Sequence, residues 1–277
     1  MTLSKVLQPL VCCFGDAVAG NPTQFVMSRT AAETGMDWRF FTSYVQREDF
    51  EAAIRGIRAL GLQGFCVLDP YQSEVVPFMD TVTESALALG KVTVGRVEGR
   101  SWLGDNLLGQ SIWLTIQKAT DKIPKEVNVD EDKPPAISTL LCVSSPALAK
   151  SITVSERDWD AELHHVEPSL ETEIPEFLSE SSNKKPIGLI VEGRIPRGLV
   201  KKLASVNWAD DACFLQVSPR KDRESVEDSE IAKQLGLKPI DRLELVAQEA
   251  ACNFQFWTGS PANYNLIREY IEEHQSC

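Results

Sequence analysis

The residues best equipped for chemistry in this sequence are seven cysteines and an adjacent histidine pair, His164-His165. Cys12, Cys13, Cys66, Cys142 and Cys213 lie in strand-like apolar runs, and no C-x-x-C pair occurs. That pattern predicts buried free thiols of a cytoplasmic protein, and neither a disulfide framework nor a zinc site. Adjacent histidines on a helix point to different faces, and no cysteine or carboxylate sits at ligand spacing from them, so no metal is expected. The basic run Arg220-Lys221-Asp222-Arg223 is interrupted by an acid and reads as a solvated loop. The stretch 64–80, GFCVLDPYQSEVVPFMD, is more informative. Phe65, Val67 and Leu68 supply the apolar side chains of a buried strand. Asp69-Pro70 ends it, because proline has no N–H and a fixed φ. Beyond it, Gln72, Ser73 and Glu74 read as the first turn of a helix with Val75, Val76 and Met79 on one face. Loops at the carboxyl ends of such strands are where α/β proteins seat their ligands. Gln72 therefore has two readings: a solvated first-turn residue, or a neutral donor to a ligand.

The elements that must hold this loop can be read on either side. Residues 6–14 predict a first strand, 27–34 a helix stopped by Gly35, and 38–45 (WRFFTSYV) a second strand. Residues 49–60 predict an amphipathic helix, with Phe50, Ile54, Ile57 and Leu60 at helical spacing. The helix of the central stretch is expected to continue through 81–89 into Gly90. A short strand over 91–94, a hairpin turn over 95–99 and a return over 101–103 follow. Asp105 and Asn106 read as the turn and cap before a helix over 107–118. The charged, proline-rich residues 121–135 read as a connection.

Residues 137–143 (ISTLLCV) predict a buried strand that runs into Ser144-Ser145-Pro146-Ala147. Only nine residues, 144–152, separate it from the next strand-like run at Thr153. A parallel crossover needs about a dozen. Either the helix has shrunk to about two turns, or 153–155 is not the second strand. Further on we expect a short helix over 159–166 and an acidic, partly helical segment over 171–184. A strand over 186–192, a helix over 194–206, a last clear strand over 212–217 and a charged loop over 220–229 come next. Helices over 241–259 and 263–274 close the chain.

Composition bounds the function. With 277 residues the chain can build two cores, and 43% apolar with 25% charged residues is ordinary for a globular protein. The net charge of −12 argues against non-specific nucleic-acid binding and against anionic membrane surfaces. No apolar run approaches the roughly 20 residues that span a bilayer. The segment MTLSKVLQPLVCCFGDAVAG has no basic n-region and reads as the first strand, not as a signal peptide.

On these residues the chain resembles the shikimate dehydrogenase family. The family's substrate loop reads N-V-T-x-P-x-K, and here Cys66-Val67-Leu68-Asp69-Pro70-Tyr71-Gln72 stands in its place. Gly104-Asp105-Asn106-Leu107-Leu108-Gly109 agrees with the family's G-D-N-T-D-G at four positions. Thr93 stands at the Asn of A-V-N-T. Leu245-Val246-Ala247-Gln248, Phe254 and Trp257-Thr258-Gly259 follow the family's closing L-V-x-Q, aromatic and W-T-G. Gly20-Asn21-Pro22 opens the first loop as G-x-P, but the Ser-x-Ser-Pro that holds the substrate carboxylate is missing. The resemblance is strong over 46–109 and 245–259 and weak over 136–239.

The resemblance implies an α/β protein of two domains. A substrate-binding domain with a mixed, mainly parallel sheet would take residues 1–108 plus 243–277. A reduced, doubly wound Rossmann-like domain would take 109–242. It also implies an NADP-dependent oxidoreductase of the shikimate pathway with a small-molecule ligand in an interdomain cleft. Gln72 and Leu108 stand at the positions of the catalytic Lys and Asp. Cys66, Leu68, Thr93, Asn106 and Gln248 fall at substrate-binding positions, Gln248 being either a ligand contact or a local backbone cap. Ser144, Ser145 and Ala147 replace the Gly-rich pyrophosphate turn, and Arg157 falls near the ribose-phosphate patch. A turn without glycine predicts weak or absent NADP binding.

Two functions compete. With Gln72 unable to exchange a proton and Leu108 unable to hydrogen-bond, one is a ligand-binding or interaction protein without dehydrogenase activity. The other is an NAD(P)-dependent oxidoreductase with an altered substrate and a rebuilt cofactor site.

Overall fold

A computed structural model describes residues 8–120, 138–155, 161–169, 174, 178, 185–217 and 222–276. The chain is α/β and divides into two compact units, Met1–Ser111 with Val246–Cys277, and Ile112–Leu245.

The first unit is built on a six-stranded sheet. In chain order its strands are β1 (Leu10–Gly15), β2 (Arg39–Tyr44), β3 (Gly64–Val67), β4 (Thr81–Val82), β5 (Val94–Glu98) and β6 (Ser101–Asp105). Their order in space is β2-β1-β3-β5-β6-β4. β1 pairs in parallel with β2 and β3, and β4 with β6, while β5 runs antiparallel to both its neighbours. β1 and β3 are buried along nearly their whole length, the pattern of strands covered on both faces. Around the sheet lie α1 (Thr23–Glu33), α2 (Phe50–Ala59) and α3 (Glu84–Leu89). Phe50, Ile54 and Ile57 of α2 recur at helical spacing and enter the core with Phe14, Phe65 and Tyr71. The Phe65 and Trp102 rings stack at 5.0 Å, and Gly95 makes room for them. A Cβ at Gly95 would stand 2.2 Å from the Phe65 ring.

Helix α4 (Leu108–Thr120) leaves the first unit and α8 (Arg242–Thr258) re-enters it, so each boundary between units falls inside a helix. After α8 comes α9 (Tyr264–Gln275). Trp257 seals the second face of the first sheet. Its Nε1 donates to Gly95 O at 3.2 Å, and its ring lies where a Cβ on Gly64 would fall.

The second unit has five parallel strands. They are β7 (Ser138–Val143), β8 (Ala161–Val166), β9 (Pro186–Val191), β10 (Cys213–Gln216) and β11 (Lys238–Pro239), in the order β11-β10-β9-β7-β8. α5 (Pro146–Val154), α6 (Arg197–Leu203) and α7 (Asp222–Gln234) belong to the same unit. The first strand lies inside the sheet with the second at its edge, which is doubly wound topology. Leu141, Val143, Leu189, Val191, Leu199, Leu203 and Phe214 form the heart of its core.

Several local expectations are corrected. The stretch after Pro70 is a series of turns ending in a 3₁₀ turn at Val76–Phe78, because Pro77 follows the short apolar run too closely for a full helix. Thr81–Val82 is strand β4, so the next helix starts only after its cap at Thr83. The hairpin turn sits at Gly99-Arg100, with residues 95–98 paired in β5. Of the two readings around Thr153, the second holds: Thr153 and Val154 end α5. The segment expected as a helix over 159–166 is instead an edge strand, whose six residues pair with β7. The expected loop over 220–229 is largely α7, anchored at its far end by buried Ala232 and Leu235. The connection at 121–135 lies outside the described residues, as does most of 171–184.

Candidate ligand site and its relatives

At the carboxyl end of β3 the chain turns back on itself. Leu68 N continues the pairing with Phe14 O at 3.0 Å, and Tyr71 N closes a turn onto Leu68 O at 3.1 Å. Gly15 makes room for Leu68, since a Cβ there would stand 2.9 Å from Leu68 Cβ. The Asp69–Pro70 peptide is cis. Tyr71 is fully buried and donates its hydroxyl to Val45 O at 2.9 Å, which fixes the loop from below. Gln72 Nε2 then reaches back to Val67 O at 3.3 Å, and its carbonyl accepts from Val92 N at 2.9 Å.

From there a ladder of hydrogen bonds gathers the other positions. Val67 N donates to Thr93 O, and Thr93 N to Asp105 O, both at 2.9 Å. Asn106 is 4% exposed. Its Oδ1 accepts from Leu108 N at 3.2 Å and its Nδ2 donates to Lys91 O at 3.3 Å, so it caps α4 and ties down the start of the β5 segment. Leu108 is the first residue of α4 and half-buried. Cys66, Leu68, Gln72, Thr93, Asn106 and Leu108 thus come together at one edge of the sheet. Gln248 lies on α8, with Nε2 at 3.8 Å from Cys252 Sγ.

The titratable groups at this edge are not the ones the motif led us to watch. Asp105 is held by the Thr83 hydroxyl and by Asn106 N, yet burial outweighs these bonds and raises its carboxyl above the usual range. Cys66 shares a hydrogen bond with the Cys13 thiol, which together with burial pushes the Cys66 thiol well up. Glu249, next to Gln248, adds to that rise. The sequence marks Cys13 only as one more buried thiol and does not show its pairing with Cys66. The signal for it was the parallel register that two buried strands adopt.

In the second unit β7 runs into Ser144 and Ser145. The register Val143↔Val191 places Glu192 beside this turn, where Glu192 Oε2 accepts from Ser145 N at 2.8 Å. Ser145 Oγ accepts from Leu148 N at 3.3 Å and so caps α5. Pro146 opens the helix without an N–H, and Ala147 follows it. Cys142 Sγ donates to Ser144 Oγ at 3.2 Å, and His165 Nε2 lies 2.9 Å from Ser144 O. Glu192 had no sequence motif to reveal it. Arg157 lies outside the described residues. Among the described residues no group of three or more His, Cys, Asp or Glu side chains could hold a metal ion.

Residues 14–94 match the shikimate dehydrogenase substrate binding domain. Over 276 residues the chain is 26% identical to the NADP(+) shikimate dehydrogenase of Bacillus subtilis, spanning 92% of this chain and 95% of the relative. The NADP(+) shikimate dehydrogenase of Bacillus licheniformis is 23% identical over 96% of this chain and 97% of that one. Among solved structures, a ligand-free 5-ketofructose reductase of Gluconobacter superposes with a TM-score of 0.70 at 16% identity, covering 96% of this chain and 99% of the other. Shikimate 5-dehydrogenase of Thermus thermophilus, in complex with NADP(H) and shikimate, gives 0.64 at 14% identity, covering 96% and 100%. Sequence similarity to shikimate dehydrogenases thus runs end to end at low identity over the same two-domain α/β fold, and the chain is shikimate dehydrogenase-like.

Proposed function

We propose that this protein binds a small uncharged or aromatic molecule at the carboxyl edge of its first sheet and does not oxidise shikimate. The observation that carries this reading is the state of the two positions where the family places its Lys and Asp. Gln72 cannot ionise, and its amide is engaged by Val67 O. Leu108 has only an aliphatic side chain. Oxidation of a hydroxyl needs a group that takes its proton, a contribution of roughly 10²–10⁴ in rate. Losing both members together also leaves no uncompensated buried ion, so the fold does not suffer. What remains is an edge lined by Cys66, Leu68, Gln72, Thr93 and Leu108, neutral and largely apolar, with no serine pair to hold a carboxylate.

The second unit supports the same reading. A dinucleotide pyrophosphate needs free backbone N–H groups at the strand-to-helix turn. Here Ser145 N already serves the Glu192 carboxylate, Leu148 N is capped by Ser145 Oγ, and Pro146 offers none. A pyrophosphate would meet a fixed negative charge at the seat it requires. These residues do not fit the diphosphate of NADP. Free buried thiols suit a reducing cytoplasm, and among the described residues no helix is long and apolar enough to cross a membrane.

A second reading, an oxidoreductase with another substrate, has one observation in its favour. Asp105 is a half-buried carboxyl with a raised pKa beside Asn106 and Thr93, the kind of group that can serve as an acid. Steady-state assay with shikimate and NADP+, paired with calorimetric titration of each, separates the two. We expect neither turnover nor NADP binding. Clear NADP-linked turnover overturns the first reading, as does micromolar affinity for NADP. Thermal-shift screening then finds the ligand, since 100 times its Kd adds about 2.7 kcal/mol.

A further inference from the structure

We propose that Cys13 and Cys66 form a two-thiol oxidation site that closes reversibly to a cross-strand disulfide. Cys66 also lines the proposed ligand edge, but the linkage is read with no ligand present and stands whichever ligand that edge takes.

The geometry begins with register. Cys13 on β1 and Cys66 on β3 are direct partners in a parallel pair. Among the described strands no other cysteine faces a cysteine in register. Neighbouring strands lie about 4.8 Å apart. That falls inside the roughly 4.4–6.8 Å Cα separation a disulfide requires. Register partners also project to the same face, so the two sulfurs start on the same side of the sheet. The two side chains are therefore neighbours across the pair, and the Cys66 thiol lowers the pKa of Cys13. The Thr23 hydroxyl also lowers the Cys13 pKa, while the Cys13 thiol itself donates to Asn21 Oδ1 at 3.7 Å.

These contacts make the two thiols unequal. Hydrogen bonds from Cys66 and Thr23 favour the Cys13 thiolate and hold its pKa below the ordinary value. The same bond, seen from the donor, keeps Cys66 protonated. One sulfur is thereby prepared to attack and the other to resolve. The remaining buried thiols differ. Cys12 points to the opposite face, among Phe14 and Phe65, and burial pushes it up to about 12. Burial raises Cys142 to about 12 as well.

With a hydroperoxide as oxidant the step balances. The Cys13 thiolate attacks the distal peroxide oxygen, the O–O bond breaks, and the leaving oxygen departs as water or alcohol. Cys13 is then a sulfenic acid. Cys66 attacks its sulfur, the S–O bond breaks, and the hydroxyl leaves as water with the Cys66 proton. Two thiols have lost two electrons and two protons to the peroxide. The bond spans adjacent strands inside a sheet, so it is strained and readily reduced by a dithiol.

The test maps linkage in the full chain. The protein is treated with hydrogen peroxide, alkylated with iodoacetamide, digested without reductant and read by mass spectrometry. We expect the Cys13 peptide joined to the Cys66 peptide, two hydrogens lighter than their sum and separated again by dithiothreitol. The link should persist in Cys12→Ser, which removes the ambiguity of adjacent cysteines. Cys13 should react on the order of tenfold faster than Cys12. Full alkylation of Cys66 after oxidation overturns the proposal, and so does a link lost in Cys12→Ser. The wild-type map decides even if Cys13→Ser does not fold.

Discussion

Two strand-to-helix turns in this molecule solve the same problem differently. After β6, Asn106 caps α4 through a contact two residues away, and the turn is closed by a neutral amide. After β7, Ser145 caps α5, but the turn is also closed by Glu192, a carboxylate 47 residues further along the chain. The first is closed by a neutral amide beside the Asp105 carboxyl. The second keeps its capacity for an anion and fills it from within. Neutralisation by substitution is hard to undo with one change. An anion seat occupied by the protein's own side chain can be vacated with one.

The largest test of this contrast is the amide cap. Asn106→Ala removes two hydrogen bonds from a buried group and orphans Lys91 O, and we expect urea unfolding to show a loss of about 3 kcal/mol. Ser145→Ala should cost only about 1 kcal/mol, because the second turn keeps Glu192. Equal losses would remove the distinction.

Next in size is Glu192→Ala. Freed of the carboxylate, the α5 turn should bind inorganic pyrophosphate at least about tenfold more tightly than wild type, equivalent to about 1.4 kcal/mol. Calorimetry showing no gain would mean that Glu192 does not guard the turn.

Gln72→Lys with Leu108→Asp asks whether the first turn can be restored. The pair should couple by about 1 kcal/mol in a double-mutant stability cycle, since the two positions share one edge. NADP-linked shikimate oxidation should still be undetectable, because serine pair and glycine turn are missing too. Strict additivity would show that the two positions do not face a common site.

The smallest effect is a pH slope. Asp105 has a raised carboxyl, so between its unfolded and folded pKa the native state holds more protons than the unfolded state. Stability is then greatest below the unfolded value near 3.9 and falls as pH rises toward the folded value. Asp105→Asn keeps an oxygen for Thr83 and should flatten that slope in thermal unfolding followed against pH. An unchanged slope would assign it to other groups.

How much of this could be read from the sequence follows the range of the interactions. Strand β3 and its Asp69-Pro70 stop were legible because proline acts on its own neighbours. Helix α2 was legible because Phe50, Ile54 and Ile57 carry its period. The candidate positions of the first unit could be named for the same reason, since Cys66 through Gln72 and Asp105 through Leu108 are contiguous. Edge strand β8 was not, because AELHHV has little strand pattern of its own and owes its state to β7. Helix α7 was not, because its buried anchors come only near its end while its start is a run of charges. Glu192 and the Cys13–Cys66 contact stayed hidden because only three-dimensional register brings them to their partners.

The covering of the first sheet by Trp257 bears on how the chain matures. Gly64 leaves a stretch of bare backbone that Trp257 of the returning helix α8 covers, and that helix is made after the whole of the second unit. During synthesis, the second unit is continuous and can close on itself while the first still waits for its final segment. Strands β1 to β6 therefore leave the ribosome before the second unit yet belong to a unit completed after it, and until then their apolar surface is exposed to chaperones and to neighbouring nascent chains.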